Sequence, residues 1–199
     1  MNLARDHARR LVGIRLTDVP YLHLFTVPED ELSAAEKKYL AEGKKWQMTE
    51  GAYAQEQGTK PQTLAYGLDD SPVGLAAWIV EKFRTWSDCG GDVERQFSKD
   101  ELLTTIMIYW VTETITSSVR LYYENRGIPP LAPEQRIEVP AGVAIFPKDL
   151  ALPPREWAER SLRVERWTEM PRGGHFAAME EPALLVEDLR AFFRPLREA

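Results

Sequence analysis

His175 stands in the stretch Met170-Pro171-Arg172-Gly173-Gly174-His175-Phe176-Ala177-Ala178-Met179-Glu180-Glu181-Pro182. An imidazole exchanges a proton near neutral pH, and two preceding glycines allow positive φ or a close backbone approach, which is how a loop aims one side chain at one point. A β-branched, aromatic-rich segment (162–168) precedes this loop and an amphipathic one (183–193) follows it. On this stretch alone, a surface loop with an incidental histidine is an equally good reading. Asp149, in Phe146-Pro147-Lys148-Asp149-Leu150, follows the preceding strand candidate as His175 follows the next. In a parallel sheet both positions lie at the carboxyl ends of adjacent strands, where open α/β sheets place their ligands. A carboxylate there can hold the imidazole tautomer and stabilise the imidazolium as it forms. Asp149 alone suits a turn or a helix cap; paired with His175, the two read as an acid and a base.

The elements that must hold this pair follow from the pattern of the chain. Residues 1–10 read as the tail of a helix and Leu11–Leu16 as a short strand. A connector runs from Tyr21 to Asp30, and a helical pattern from Glu31 to about Gln57 breaks at Gly58-Thr59-Lys60-Pro61. Pro61 and Pro72 each suit a first helical turn, opening helices through Leu68 and through Trp86. The second places Leu75, Trp78, Ile79, Lys82 and Phe83 on one face, which reads as buried. Ser98-Lys99-Asp100-Glu101 is a capping box, and the long helix it opens is expected to reach about Asn125. Thereafter the pattern is a strand at 137–146 with Pro140 at an edge or bulge, a helix through Arg160, a strand at 162–168 and a helix at 182–196. Residues 1–27 thus read as a remnant of a sheet domain, 28–132 as a helical lobe and 133–199 as a βαβα ending. Three strands cannot cover a doubly wound sheet, so the expectation is an unusual fold or the second half of a larger one.

Composition narrows the chemistry. The formal net charge is −6 and no run of Lys and Arg forms a phosphate-binding stripe, which argues against nucleic acid. The longest apolar runs, 74–80 and 106–111, are too short to span a bilayer, and the N-terminus has no hydrophobic signal region. Cys89 is the single cysteine, which removes a disulfide framework and a cysteine metal site. Together these features suit a cytoplasmic protein.

Acid followed by histidine is the chain order of α/β-hydrolases, in which a nucleophile comes first. No Gly-x-Ser-x-Gly is present, and Asp6 lies in a helix with no strand before it. The chain resembles the microsomal-type epoxide hydrolases of the α/β-hydrolase fold. The stretches that carry the resemblance are 51–63 (Gly-Ala-Tyr-Ala-Gln-Glu-Gln-Gly-Thr-Lys-Pro-Gln-Thr), 69–79 (Asp-Asp-Ser-Pro-Val-Gly-Leu-Ala-Ala-Trp-Ile), Tyr109-Trp110-Val111-Thr112-Glu113, Phe146-Pro147-Lys148-Asp149-Leu150 and 172–178 (Arg-Gly-Gly-His-Phe-Ala-Ala).

The resemblance implies a partial α/β-hydrolase fold, comprising the last strands of the parallel sheet with an inserted α-helical lid. It implies Asp149 as the charge-relay acid, His175 as the base, and Tyr53 and Tyr109 as lid tyrosines that grip an epoxide oxygen. A phenol with an ordinary pKa of about 10 stays protonated and can donate to an oxygen becoming alkoxide, and such donors are typically worth a few kcal/mol each. Without the resemblance, Tyr66, Tyr122 and Tyr123 would serve equally well, and Tyr109 would suit a core, since it shares a helical face with Ile106, Trp110 and Glu113. In the family a carboxylate attacks an epoxide carbon to give an alkyl-enzyme ester, which His-activated water hydrolyses to a diol, with no metal or organic cofactor.

The departure from the pattern is at the front. The elbow resembling Gly-Gly-Asp-Trp-Gly and the His-Gly-x-Pro oxyanion loop have no counterpart, so Met1 falls just past the nucleophile. The expectation is a chain that carries acid, base and both tyrosines, acts on a small hydrophobic epoxide as part of a larger enzyme, and does not turn over epoxide alone. The alternative is a non-catalytic product that binds hydrophobic ligands or an upstream partner chain. A dehalogenase fits less well, because a halide leaving group calls for N–H donors. An exposed sheet edge predicts a homodimer or association with the missing N-terminal half.

Overall fold

The computed structural model describes residues 2–19, 27–128 and 135–197. In chain order the helices and strands are α1 (Asn2–Asp6), β1 (Ile14–Leu16), α2 (Ala34–Glu50), α3 (Ala52–Thr59), α4 (Pro61–Asp70), α5 (Pro72–Trp86), α6 (Lys99–Thr112), α7 (Ile115–Asn125), β2 (Ile137–Ile145), α8 (Arg155–Glu159), β3 (Leu162–Glu169), α9 (Ala177–Glu180) and α10 (Pro182–Leu196). They pack as two units, residues 1–44 with 130–199 and residues 45–129. Part of the connector expected at 21–30 lies outside the described residues; its end, Glu29–Glu31, is a 3-10 turn.

In the sheet unit the three strands are parallel, in the order β1-β2-β3, with Leu16 opposite Val143 and Val143 opposite Trp167. β2 is central and nearly continuously apolar, as a parallel strand covered on both faces must be. Pro140 has no N–H to give to a ladder, and the register with β3 shifts there, so the bulge expected for it falls within the central strand. Gly142 marks the close approach of α10: a Cβ there would lie 2.9 Å from the Phe192 ring. Residues 28–44 pack in this unit, where the ring of Tyr39 lies 5.8 Å from that of Trp157. Ser33 and Glu36 form a second capping box at the start of α2, and Arg160 pairs with the Glu36 carboxylate.

The helical unit is organised by Ala65, Leu68, Leu75, Ile106, Ile115 and Val119. Ser71 caps α5, accepting from the Gly74 N–H at 3.0 Å, and the capping box of Ser98 and Glu101 opens α6. Two helices expected as continuous are broken. The pattern read from Glu31 to Gln57 bends at Gly51, where a Cβ would lie 2.5 Å from the Gln47 carbonyl oxygen, so only glycine permits the bend. The helix read from Ser98 to Asn125 ends at Thr112: Glu113 adopts a left-handed cap (φ 52°), and the chain restarts as α7, which buries Ile115 and Val119 against α4. Burial of these two side chains outweighs the cost of the left-handed residue. Among the described residues no helix is long and apolar enough to cross a membrane.

Candidate active site

β2 ends at Ile145 and delivers Phe146, Pro147, Lys148 and Asp149; β3 ends at Glu169 and delivers the glycine loop. The two loops are sewn together by the Lys148 N–H, which donates to the Gly173 carbonyl at 3.0 Å. Gly173 has φ 99°, and a Cβ on it would lie 2.9 Å from the Phe146 ring, so both torsion and space require glycine. The outcome is a hydrogen bond of 2.8 Å between His175 Nδ1 and Asp149 Oδ1. Oδ1 also accepts from the Leu150 N–H at 2.7 Å, which fixes the carboxylate. The Asp149 side chain is 6% exposed and that of His175 33%, so the acid is sealed while the imidazole reaches the surface. A proton on Nδ1, donated to Asp149, leaves Nε2 as the basic nitrogen.

Two further acids shape this site. Glu180 on α9 is buried, and its two carboxylate oxygens accept from the N–H groups on either side of the histidine, Gly174 and Phe176, each at 2.9 Å. One side chain thereby clamps the loop that aims the imidazole. Its signal in the sequence was a Glu five residues past His175, readable only once the loop closes on itself. Asp18, two residues beyond β1, is the second. Although the residue as a whole touches solvent, loss of water around its carboxyl, with the negative charge of Asp149, pushes its pKa up to about 6. The Val19 N–H and His175 act in the opposite direction.

Burial of His175 opposes its charged form and is the largest single influence. The Asp149 hydrogen bond, followed by the charges of Asp149, Asp18 and Glu180, outweighs it and holds the imidazole above its ordinary value. A histidine raised in this way stabilises the fold fully below the unfolded value of about 6.5, and that contribution fades as pH rises through the folded value. Asp149→Asn removes the main opposing influences while burial stays. In an NMR titration, His175 of this variant is expected to protonate at a lower pH than in wild type. A titration unchanged from wild type would contradict the electrostatic account.

The two tyrosines lie in the helical unit, in different surroundings. Tyr53 on α3 packs against Trp46, Trp86 and Tyr122, with centroids 6.3, 5.1 and 5.9 Å away, and lines a cavity of about 690 Å³. Tyr109 on α6 is half-buried against the apolar cluster. Of the other tyrosines, Tyr66, Tyr122 and Tyr123 are all exposed. Among the described residues no group of three His, Cys, Asp or Glu is placed to hold a metal ion.

No family model matches the chain. A protein of Stigmatella aurantiaca, named provisionally as an epoxide hydrolase, is 43% identical over 196 residues, 98% of this chain and 44% of that protein. Epoxide hydrolase 1 of Sus scrofa is 46% identical over 161 residues, 76% of this chain and 36% of its own length. The solved epoxide hydrolase of Aspergillus niger superposes with a TM-score of 0.76 at 32% identity, covering 98% of this chain and 49% of that one. The chain therefore spans less than half the length of the curated relatives it matches.

Proposed function

We propose that the chain, a homologue of the epoxide hydrolases with part of the α/β-hydrolase fold, supplies the base, the relay acid and the oxygen-gripping lid tyrosines of an epoxide hydrolase. The observation that carries this reading is the 2.8 Å bond between His175 and Asp149 at the ends of adjacent parallel strands. A carboxylate nucleophile is ionised at neutral pH and attacks an epoxide carbon without help from a base. The C–O bond of the epoxide breaks, and its oxygen, becoming alkoxide, takes hydrogen bonds from the phenols of Tyr53 and Tyr109. The resulting ester is the part that needs His175. Nε2 removes a proton from water, the hydroxide adds to the ester carbonyl, and Asp149 stabilises the imidazolium. Collapse of the adduct breaks its bond to the alcohol oxygen; the proton on Nε2 and the acid proton of the regenerated carboxyl pass to the two alcohol oxygens, which returns the carboxylate and the neutral imidazole and releases a vicinal diol.

The base works only when neutral, so the raised pKa of His175 moves the acidic limb of ester hydrolysis upward, and Asp149→Asn moves it downward. Substrate binding is testable on the 199-residue chain by calorimetry with an aryl vicinal diol. Tyr53→Phe combined with Tyr109→Phe is expected to weaken binding by roughly tenfold or more, from two lost hydrogen bonds of about 1 kcal/mol each. Unchanged affinity in the double variant would remove the tyrosines from the site. For the partner, we propose that a β-strand from a second copy or another polypeptide pairs with an edge of the sheet that has no neighbouring strand among the described residues. A monomer at all concentrations on a sizing column would contradict this.

A further inference from the structure

Lys82 lies on α5, on the helical face that also carries Leu75 and Phe83, and its setting there is unusual for a lysine. Its side chain is 18% exposed, and the ammonium lies 4.9 Å from the ring centroid of Tyr53, 5.2 Å from that of Trp86 and 5.8 Å from that of Trp78. A lysine whose stem only covered apolar surface would carry its nitrogen out to water. Here the nitrogen stays over three ring faces, beside Glu81 at 2.5 Å. The cavity lined by Tyr53 also has Glu50 from α2, Glu56 from α3 and Glu81 from α5 on its wall, so Lys82 is the one cation facing it among the described residues. Tyr122, from α7, adds a ring and no charge.

We propose that Lys82 is a positioning and activating residue for Tyr53, its charge making the phenol a stronger hydrogen-bond donor to an oxygen that becomes anionic. This rests on the reading of Tyr53 as a donor to the epoxide oxygen. Two effects share the one geometry. Attraction between the ammonium and the ring face fixes the tilt of the phenol. A full positive charge within about 5 Å also favours the phenolate, and with it partial transfer of the phenolic proton in the transition state. Glu81 moderates that field: its carboxylate is 49% exposed and partly cancels the ammonium.

The test uses the 199-residue chain labelled with tyrosine ¹³Cζ, the Tyr53 resonance being identified by its loss in Tyr53→Phe. Lys82→Met is expected to raise the pH of Tyr53 ionisation by about one pH unit, and Lys82→Arg to keep it at or below the wild-type value. Glu81→Gln acts at an exposed position and is expected to lower it, because the ammonium is then uncompensated. If Lys82→Met does not fold, Lys82→Gln, which keeps a polar stem and removes the charge, is read in its place with the same upward shift expected. Tyr53 ionisation unmoved in the folded variant that lacks the Lys82 charge overturns the proposal. Binding of the aryl diol separates this from the underlying reading. An unmoved ionisation with binding weakened by Tyr53→Phe removes Lys82 and retains the tyrosine, whereas binding untouched by Tyr53→Phe removes both.

Discussion

His175→Gln is expected to lower steady-state epoxide hydrolysis by roughly 10²- to 10⁴-fold, the range a positioned general base contributes. The measurement needs a nucleophile, which a chimera provides when residues 1–199 replace the aligned stretch of the Stigmatella aurantiaca relative. Glutamine keeps much of the volume of the imidazole and can still meet Asp149, so the loop clamped by Glu180 survives the change. What is lost is a nitrogen that takes a proton near neutral pH. Alkylation does not use that nitrogen and should continue, while hydrolysis of the ester stops. Asp149→Asn is expected to fall between wild type and His175→Gln, since it disturbs the tautomer and the charge balance but leaves the imidazole in place.

Asp188→Ala is expected to destabilise the sheet unit by roughly 3–5 kcal/mol, the usual cost of breaking a buried ion pair by removing one partner. The Asp188 side chain, on α10, is 3% exposed and that of Arg15, on β1, is 5% exposed. Its Oδ2 accepts from Arg15 Nε at 2.7 Å, and its Oδ1 accepts from Arg166 Nε at 2.8 Å and Thr168 Oγ1 at 2.6 Å. A single carboxylate therefore holds α10 to strands β1 and β3, and alanine would strand the Arg15 guanidinium without a counter-charge. Burial raises the pKa of Asp188, but Thr168, Arg166 and Arg15 together hold it below its ordinary 3.8. The stabilisation is accordingly present above pH 3.8 and lost as pH falls through the lowered folded value, so wild type should lose stability in acid where Asp188→Asn does not. Urea unfolding at pH 7 and at pH 3 measures both effects. A cost below about 1 kcal/mol at pH 7 would mean that the cluster contributes no more than an exposed pair.

The pair at the centre of the site was legible because each residue follows a recognisable strand, and parallel strands bring their ends together. The two supporting acids were not. Glu180 acts on backbone N–H groups that come within reach only when α9 folds back over the glycine loop, and Asp18 falls between the strand read to Leu16 and the connector read from Tyr21, in a stretch with no pattern of its own. Helix content was legible from capping residues and prolines, but breaks inside helices were harder to see. Gly51 at least offered a signal, whereas the left-handed turn at Glu113 has no local cause and follows from packing in the helical unit. The choice of Tyr53 and Tyr109 among the tyrosines came from resemblance alone; no spacing rule distinguishes them. Lys82 was placed correctly on an inward face, but a helical pattern does not reveal that its ammonium is enclosed by rings.

The most direct test of the account is intact-mass analysis of the chimera mixed with a slight excess of an aryl epoxide. With wild-type His175 the protein mass should return to its starting value as diol accumulates. With His175→Gln the account predicts one epoxide equivalent added per protein, retained as an ester that mild alkaline hydroxylamine removes. Continued diol formation by His175→Gln at the wild-type rate, with no mass added, would show that His175 is not the base.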